Sequence, residues 1–241
     1  MDKFYNLIFF TLIFIACTAS SEIDLQDDAS GTILVVFNVN KEFERIRREL
    51  VTTLVGGDVA KMSLFPVDEI KQYFRDDGEK IGLKLLDIKS NGDSLKLVVK
   101  FDSLIKVARD YLAKENLPLF KIENKNGKNI IDIDLNLKNV TKVINENKEY
   151  INDALAALLP SEEIPMSEKE YRDVLMYFLS DFTDNASSLI DNSNFKIKIK
   201  TSRKIQEQLG FNQINSNTLE LNLDMIKTVS LQKPIKLRLV Y

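Results

Sequence analysis

Two Asn-Gly steps constrain this chain more than any other feature. Asn91-Gly92 lies within "GLKLLDIKSNGDSLKLVVKF", residues 82–101, and Asn126-Gly127 within "LFKIENKNGKNIIDIDLNL", residues 119–137. Both are flanked by alternating apolar and polar residues. That combination is the strongest short-range signal of a β-hairpin, because Asn and Gly accept the positive φ of a tight turn. Each hairpin then runs into an amphipathic stretch. Asp102 or Ser103 caps "LIKVARDYLAKEN", with Leu104, Val107, Ala108, Tyr111 and Leu112 on one stripe. The second hairpin feeds "NVTKVINENKEYINDALAALL", which starts at Asn139. A fainter third copy is "NSNTLELNLDMIKTV", residues 215–229. These read as recurrent strand-to-helix units within one sheet, and two clear copies are too few for a solenoid.

The remaining segments fit the same plan. "GTILVVFNVN", residues 31–40, is a β-rich apolar run and a central strand, and Asn40 can cap the helix after it. "KEFERIRRELVTTLV" places Phe43, Ile46, Leu50, Leu54 and Val55 on one helical face and stops at Gly56-Gly57. "FPVDEIKQYFRDDG" is a shorter helix from near Pro66 to Gly78. Residues 161–192 read as helical, with Tyr171, Val174, Leu175, Phe178, Leu179 and Phe182 as the apolar face. The closing segments "NFKIKIKT", "TLELNL" and "IKLRLVY" alternate cleanly. Alternation means a sheet with one wet face, hence mostly antiparallel. The expected fold class is α+β: a mostly antiparallel sheet with helices packed on one face, and room for a helical lobe at 139–192. Residues 31–241 form a single domain in this reading.

Composition removes whole classes of chemistry. The chain has no His and one cysteine, Cys17. It can build neither an internal disulfide nor the usual zinc ligand sets, and Ser-His-Asp and Cys-His sites are excluded. The formal net charge is −3, and Glu22, Asp24, Asp27 and Asp28 leave residues 31–241 near +1. A domain this close to neutral lacks the basic surplus that drives phosphate-backbone binding, so no nucleic-acid partner is expected. No cofactor or metal is expected either.

"NLIFFTLIFIACTASSE", residues 6–22, sets where the protein works. Lys3 precedes an apolar run from Phe4 to Ala16 broken only by Asn6 and Thr11. A bilayer span needs roughly 20 apolar residues. This run is shorter and fits the apolar region of an export signal, with small Ala16 before Cys17. Here the sequence resembles bacterial lipoprotein precursors, whose cleavage box ends in a small residue and the cysteine that receives lipid. "FIAC", residues 14–17, fits at Ala16 and Cys17, with Phe14 where Leu is usual. Spirochaetal lipoproteins tolerate that looseness, and the Lys/Asn/Ile-rich composition resembles theirs. The resemblance implies a signal peptide over residues 1–16, fatty acylation of Cys17, and a location on the cell membrane or outer membrane. Residues 18–30, "TASSEIDLQDDAS", then read as an acidic, extended tether; a plain signal peptide with an incidental cysteine is the alternative.

The hairpin-then-helix order "IGLKLLDIKSNGDSLKLVVKFDSL" resembles the LppM-type domain of bacterial lipoproteins, and "NTLELNLDMIKTV" and "KPIKLRLVY" fit that pattern. The resemblance covers roughly residues 31–112 and 195–241. It implies a lipid-anchored α+β domain that holds lipid.

Other constellations have plainer accounts. Asp132 and Asp134 share one face of a strand and could meet a cation, or form a solvated outer face. "RDDGEK", residues 75–80, and Glu162-Glu163 pair acids at expected helix ends. Lys196, Lys198 and Lys200 share a strand face, with Arg203 beyond, and could contact anionic lipid head groups; the alternative is the wet side of an edge strand. The Phe178-Leu179-Phe182 stripe could line a lipid-holding groove or simply be core. The expectation is a non-enzymatic envelope lipoprotein that binds a lipid or protein partner. Its alternatives are a surface adhesin or host-factor binder, and a hydrolase using carboxylates or a Ser-Lys pair.

Overall fold

The computed structural model describes residues 17–55, 63–109, 119–146 and 158–241. The signal peptide over residues 1–16, the Gly56-Gly57 stop, the Tyr111-Leu112 turn and residues 147–157 lie outside the described residues.

The chain opens with β1 (Cys17–Leu25), β2 (Gly31–Val39) and α1 (Lys41–Val55). Next come α2 (Val67–Tyr73), a π turn over Phe74–Gly78, a 3₁₀ turn over Glu79–Ile81, β3 (Leu83–Ser90), β4 (Ser94–Phe101) and α3 (Leu104–Val107). Then follow β5 (Phe120–Lys125), β6 (Lys128–Leu135), α4 (Leu137–Glu146), α5 (Glu168–Ser180) and α6 (Ala186–Asp191). The last part holds β7 (Asn194–Thr201), β8 (Glu207–Leu209), β9 (Asn212–Asn215), β10 (Thr218–Asp224), α7 (Met225–Ser230) and β11 (Ile235–Val240).

Local chemistry explains these boundaries. Asn126 and Gly127 both adopt positive φ, 55° and 74°, the geometry of a two-residue hairpin turn that follows strand twist. At the other hairpin, Asn91 N–H donates to Ser94 O at 3.2 Å. The Asn40 side chain accepts from Glu42 N–H, Ser103 from Lys106 N–H and Asp224 from Lys227 N–H, so three strand-to-helix steps carry a side-chain cap.

The fold is α+β, with helices packed over one face of a largely antiparallel sheet, as the alternation implies. The larger sheet has the order β3-β4-β2-β1-β7-β10-β9, antiparallel throughout except for the β1–β7 pair. The hairpin units do not share one sheet. The β5–β6 hairpin joins β11 and β8 in a second, four-stranded sheet. Its β6 pairs with β11, about a hundred residues away, through Ile133 opposite Leu237 and Ile131 opposite Leu239.

Both cores lie on the same side of the larger sheet. At one end, Cys17, Ala19, Val39 and Leu95 pack against Phe43 and Ile46 of α1, Tyr171, Leu175 and Leu179 of α5, Leu189 and Ile190 of α6, and Met225. At the other end, Leu25, Phe101, Ile199 and Leu219 pack against Leu239, Tyr241 and Ile131 around the second sheet. Tyr241 also exchanges backbone hydrogen bonds with Asn129, 2.9 and 3.1 Å, and the Asn129 amide donates to Asp27 O at 3.0 Å. These bonds tie the second sheet to the β1–β2 turn.

Three further expectations need correction. Residues 18–30 are not a tether. β1 is the central strand of the sheet, held between β2 and β7, and residues 26–30 are the tight turn into β2. The cause is the alternation Ala19, Ile23, Leu25, which turns one face of the strand to the core and leaves Thr18, Ser20, Glu22 and Asp24 on the other. Nor does the helix begin at residue 161. Glu162 and Glu163 lie in a bend, and α5 starts after a Ser167–Glu170 capping box. Helices α5 and α6 belong to the main core rather than to a lobe of their own.

Candidate functional site

The even-numbered residues of β1, β2, β4, β7 and β10 face away from both cores. Strand register aligns them into rows. One row runs Lys84, Lys100, Thr32, Asp24, Lys200, Thr218; the next runs Asp87, Val98, Leu34, Glu22, Lys198, Glu220; a third runs Lys89, Lys96, Val36, Ser20, Lys196, Asn222.

The lysines of β7 do share this face, but β7 is an interior strand, not an edge. Its neighbours supply acids. Lys196 Nζ lies 3.0 Å from Glu220, and Lys200 Nζ lies 3.8 Å from Glu22 and 4.0 Å from Asp24. Lys198 stands in register between Glu22 and Glu220. Arg203 is held elsewhere, with its Nε 2.7 Å from Asp27 and Nη1 donating to Gly127 O at 3.2 Å. This half of the face is therefore a lattice of opposite charges. Its lysines already have carboxylate neighbours, which reduces their attraction for a lipid phosphate.

The β3–β4–β2 half is different. Lys84, Lys96 and Lys100 are exposed, and among the described residues no carboxylate lies within ion-pair distance of them. Between them lie Leu34, Val36 and Val98, half-buried. The β3 register shifts between Leu85 and Asp87, so Leu86 is an extra residue beside Val98; it is 51% exposed. Sequence reasoning missed this patch. The available signal was the run "ILVVF" in β2, which is apolar on both faces of a sheet that has one wet face.

Ion-paired carboxyls, on this face and elsewhere, set a pH dependence. A hydrogen bond from Ser202, then the Arg203 guanidinium, holds the Asp27 carboxyl below its ordinary value of 3.8. The Lys196 ammonium does the same for Glu220, and the Arg172 guanidinium for Asp191. A carboxyl depressed in the folded state stabilises above its unfolded value and loses that contribution as pH falls through the folded one. The melting temperature should stay level from about pH 7 to about pH 5 and fall below about pH 4. Thermal unfolding followed by circular dichroism at constant ionic strength checks this; a flat profile down to about pH 2 would contradict it.

Cys17 is the first described residue and is wholly buried. It pairs with Val39 of β2, while the register with β7 begins only at Thr18, so strand pairing holds it from one side. Its thiol points into the core beneath α1, and burial pushes its pKa from 9.0 up to about 12. In the folded domain this is an unreactive sulfur.

The remaining candidates resolve into structural roles. Asp132 and Asp134 do share a face, opposite Arg238 and Lys236 on β11, and Arg238 Nη1 donates to both Asp132 oxygens at 2.7 and 2.9 Å. Cross-strand cations occupy the place that a metal ion would take. Among the described residues no three His, Cys, Asp or Glu side chains cluster as a metal set would. Asp76 and Asp77 lie in the π turn, with Asp77 paired to Lys80 at 3.0 Å. Leu179 is fully buried, and Phe178 and Phe182 pack against the same core, so that stripe is mostly core. A shallow depression of about 430 Å³ beside α5 is lined by Leu158, Val174, Tyr177 and Phe178, flanked by Asp173 and Asp181.

No family model matches the chain, and no curated protein matches it. Among solved structures it is similar to the folded domain of the LppM protein of Mycobacterium tuberculosis, determined by NMR. The TM-score is 0.40 at 8% identity, over 94% of this chain and 89% of that one. The LppM-type resemblance in the sequence pattern thus has a weak, partial structural counterpart, which assigns no ligand or activity.

Proposed function

We propose that this chain is the precursor of a lipid-anchored protein of the bacterial cell envelope. The anchor is on Cys17, and the α+β domain behind it is non-enzymatic and binds a lipid or protein partner. The observation that carries the reading is the short apolar run ending in "FIAC" at residues 14–17, whose cysteine is the first residue of β1.

The position of Cys17 has two consequences for such an anchor. Acylation needs the end of β1 open, before folding or by local opening, because the thiol of the closed domain is both buried and protonated. The acylated residue must then leave the core, since a diacylglyceryl group cannot occupy the space of a cysteine side chain among Phe43, Ile46 and Val39. Among the described strand pairs, only that with Val39 has to open along with the core contact, because the register with β7 begins at Thr18. Burying one small side chain is worth about 1–2 kcal/mol. Each acyl methylene placed in the bilayer contributes about 0.8 kcal/mol, so release of the strand end is readily offset. With β1 in the sheet, no long tether separates lipid from domain, and the body rides directly on the membrane surface.

Metabolic labelling with radioactive fatty acid tests the anchor. The wild-type protein is expected to carry label and to partition with membranes, and Cys17→Ala to lose both. Label that persists in Cys17→Ala, or its absence from the wild type, would overturn the reading.

A further inference from the structure

We propose that the β3–β4–β2 half of the open sheet face docks on an anionic bilayer surface, with Lys84, Lys96 and Lys100 meeting lipid phosphates around an aliphatic centre of Leu34, Val36, Val98 and Leu86. The proposal deepens the anchored reading and rests on it only for what brings the domain to the membrane.

Three observations carry it. The first is a mismatch between strand and environment. β2 is apolar on both faces, yet among the described residues only one face is packed, leaving Leu34 and Val36 on the other. The second is charge. The β1–β7–β10 half matches its lysines with Glu22, Asp24 and Glu220, whereas Lys84, Lys96 and Lys100 stand around the aliphatic centre without an ion-paired carboxylate among the described residues. Lys100 is near enough to Asp28 to help hold that carboxyl down, but Asp28 is chiefly bound to Ser30. The third is the bulge at Leu86, which leaves an additional leucine 51% exposed on the edge strand that borders the patch.

The chemistry favours a lipid surface over a protein. Protein interfaces concentrate their energy in aromatic and Arg anchors, with lysine depleted. This patch has no aromatic and no arginine: lysines stand around its aliphatics, and its one carboxylate within β3, Asp87 beside Val98, is ion-paired with Lys89 at 3.6 Å. Long lysine stems can extend from a flat sheet toward phosphates while their methylenes lie along apolar surface. Each such lysine is worth about 1 kcal/mol near an anionic leaflet, or roughly fivefold in binding, so three together give on the order of a hundredfold.

The test uses the protein as its host makes it, on phosphatidylcholine vesicles with and without phosphatidylglycerol. Wild type should bind the anionic vesicles more tightly. Combined Lys84→Glu, Lys96→Glu and Lys100→Glu should lose at least about a hundredfold of that increment, since the new carboxylates are also repelled, and leave binding to pure phosphatidylcholine unchanged. Combined Lys138→Glu, Lys169→Glu and Lys233→Glu, which makes the same change in net charge on other exposed sites, should lose far less. Cys17→Ala should weaken binding to both vesicle types by the same factor, so failure of the anchor and failure of the docking face read out separately. A second measurement does not depend on lost binding. The chain has no tryptophan, so Leu86→Trp introduces a single reporter, expected to be quenched by brominated lipid, whereas Tyr177→Trp on α5 should not be. Wild-type binding that ignores phosphatidylglycerol, equal losses in the two charge-reversed variants, or an unquenched Trp at position 86 would each overturn the proposal.

Discussion

Gly31→Ala should destabilise the protein by at least about 4 kcal/mol or prevent it from folding, the range reached only when a core position cannot adjust. Gly31 opens β2 and sits in register between Leu25 of β1 and Phe101 of β4. A Cβ there would stand 2.0 Å from the Asp24 carbonyl oxygen and 2.6 Å from the Phe101 ring. Neither neighbour can yield easily. Asp24 is backbone in the central strand, and Phe101 is 1% exposed at the centre of the inter-sheet core. The turn between β1 and β2 is fixed too, with Gln26 N–H donating to Ser30 O at 2.8 Å. Gly92→Ala is the matched control. Its Cβ would meet nothing within 4 Å, and only the φ of +97° opposes it. That strain costs about 1–2 kcal/mol. Urea denaturation of both variants decides the matter: equal losses would mean that the close approach at Gly31 has no energetic weight.

The sequence displayed what neighbours decide and hid what distant strands decide. The turns at Asn91-Gly92 and Asn126-Gly127, the caps at Asn40 and Ser103, and the stripe of α5 depend on residues a few positions apart, and all were legible. The second sheet was not, because β6 finds β11 across about a hundred residues and nothing in "KNIIDIDL" names its partner. β1 was misread for a related reason. "CTASSEIDL" carries only three strongly apolar outlets on its inward edge, and its acidic outer edge looks like a solvated spacer. Its role follows from pairing with two strands, one of them β7, well over a hundred residues later. The same pairing reassigns the candidate site. Lys196, Lys198 and Lys200 looked like free cations because Glu22, Asp24 and Glu220 come to them only through the sheet. The lysines of the β3–β4 hairpin, spread between apolar residues, formed no visible cluster until β2 lay beside them.

Cys17, unacylated and in the folded protein, should react with a thiol reagent about a thousandfold more slowly than in denaturant. The burial that raises its pKa from 9.0 to about 12 removes about three orders of magnitude of thiolate at mildly alkaline pH, before any steric protection is counted. The residual rate then reports how often the end of β1 opens, since Cys17 must leave the Val39 register and the α1 core to be reached. Opening need not disturb the sheet beyond it: from Thr18 onward β1 is gripped on both sides, by β2 and by β7. The contrast between residue 17 and its successors gives the experiment its force. In protein carrying lipid on Cys17, amide exchange should be fast at residue 17 and slow from Thr18 to Leu25. If exchange were fast along all of β1, the lipid would have pulled out the central strand, and a domain resting directly on the bilayer would no longer describe the anchored state. If the unacylated thiol reacted as quickly as in denaturant, the end of β1 would already be open without lipid, and acylation would have no folded position to displace.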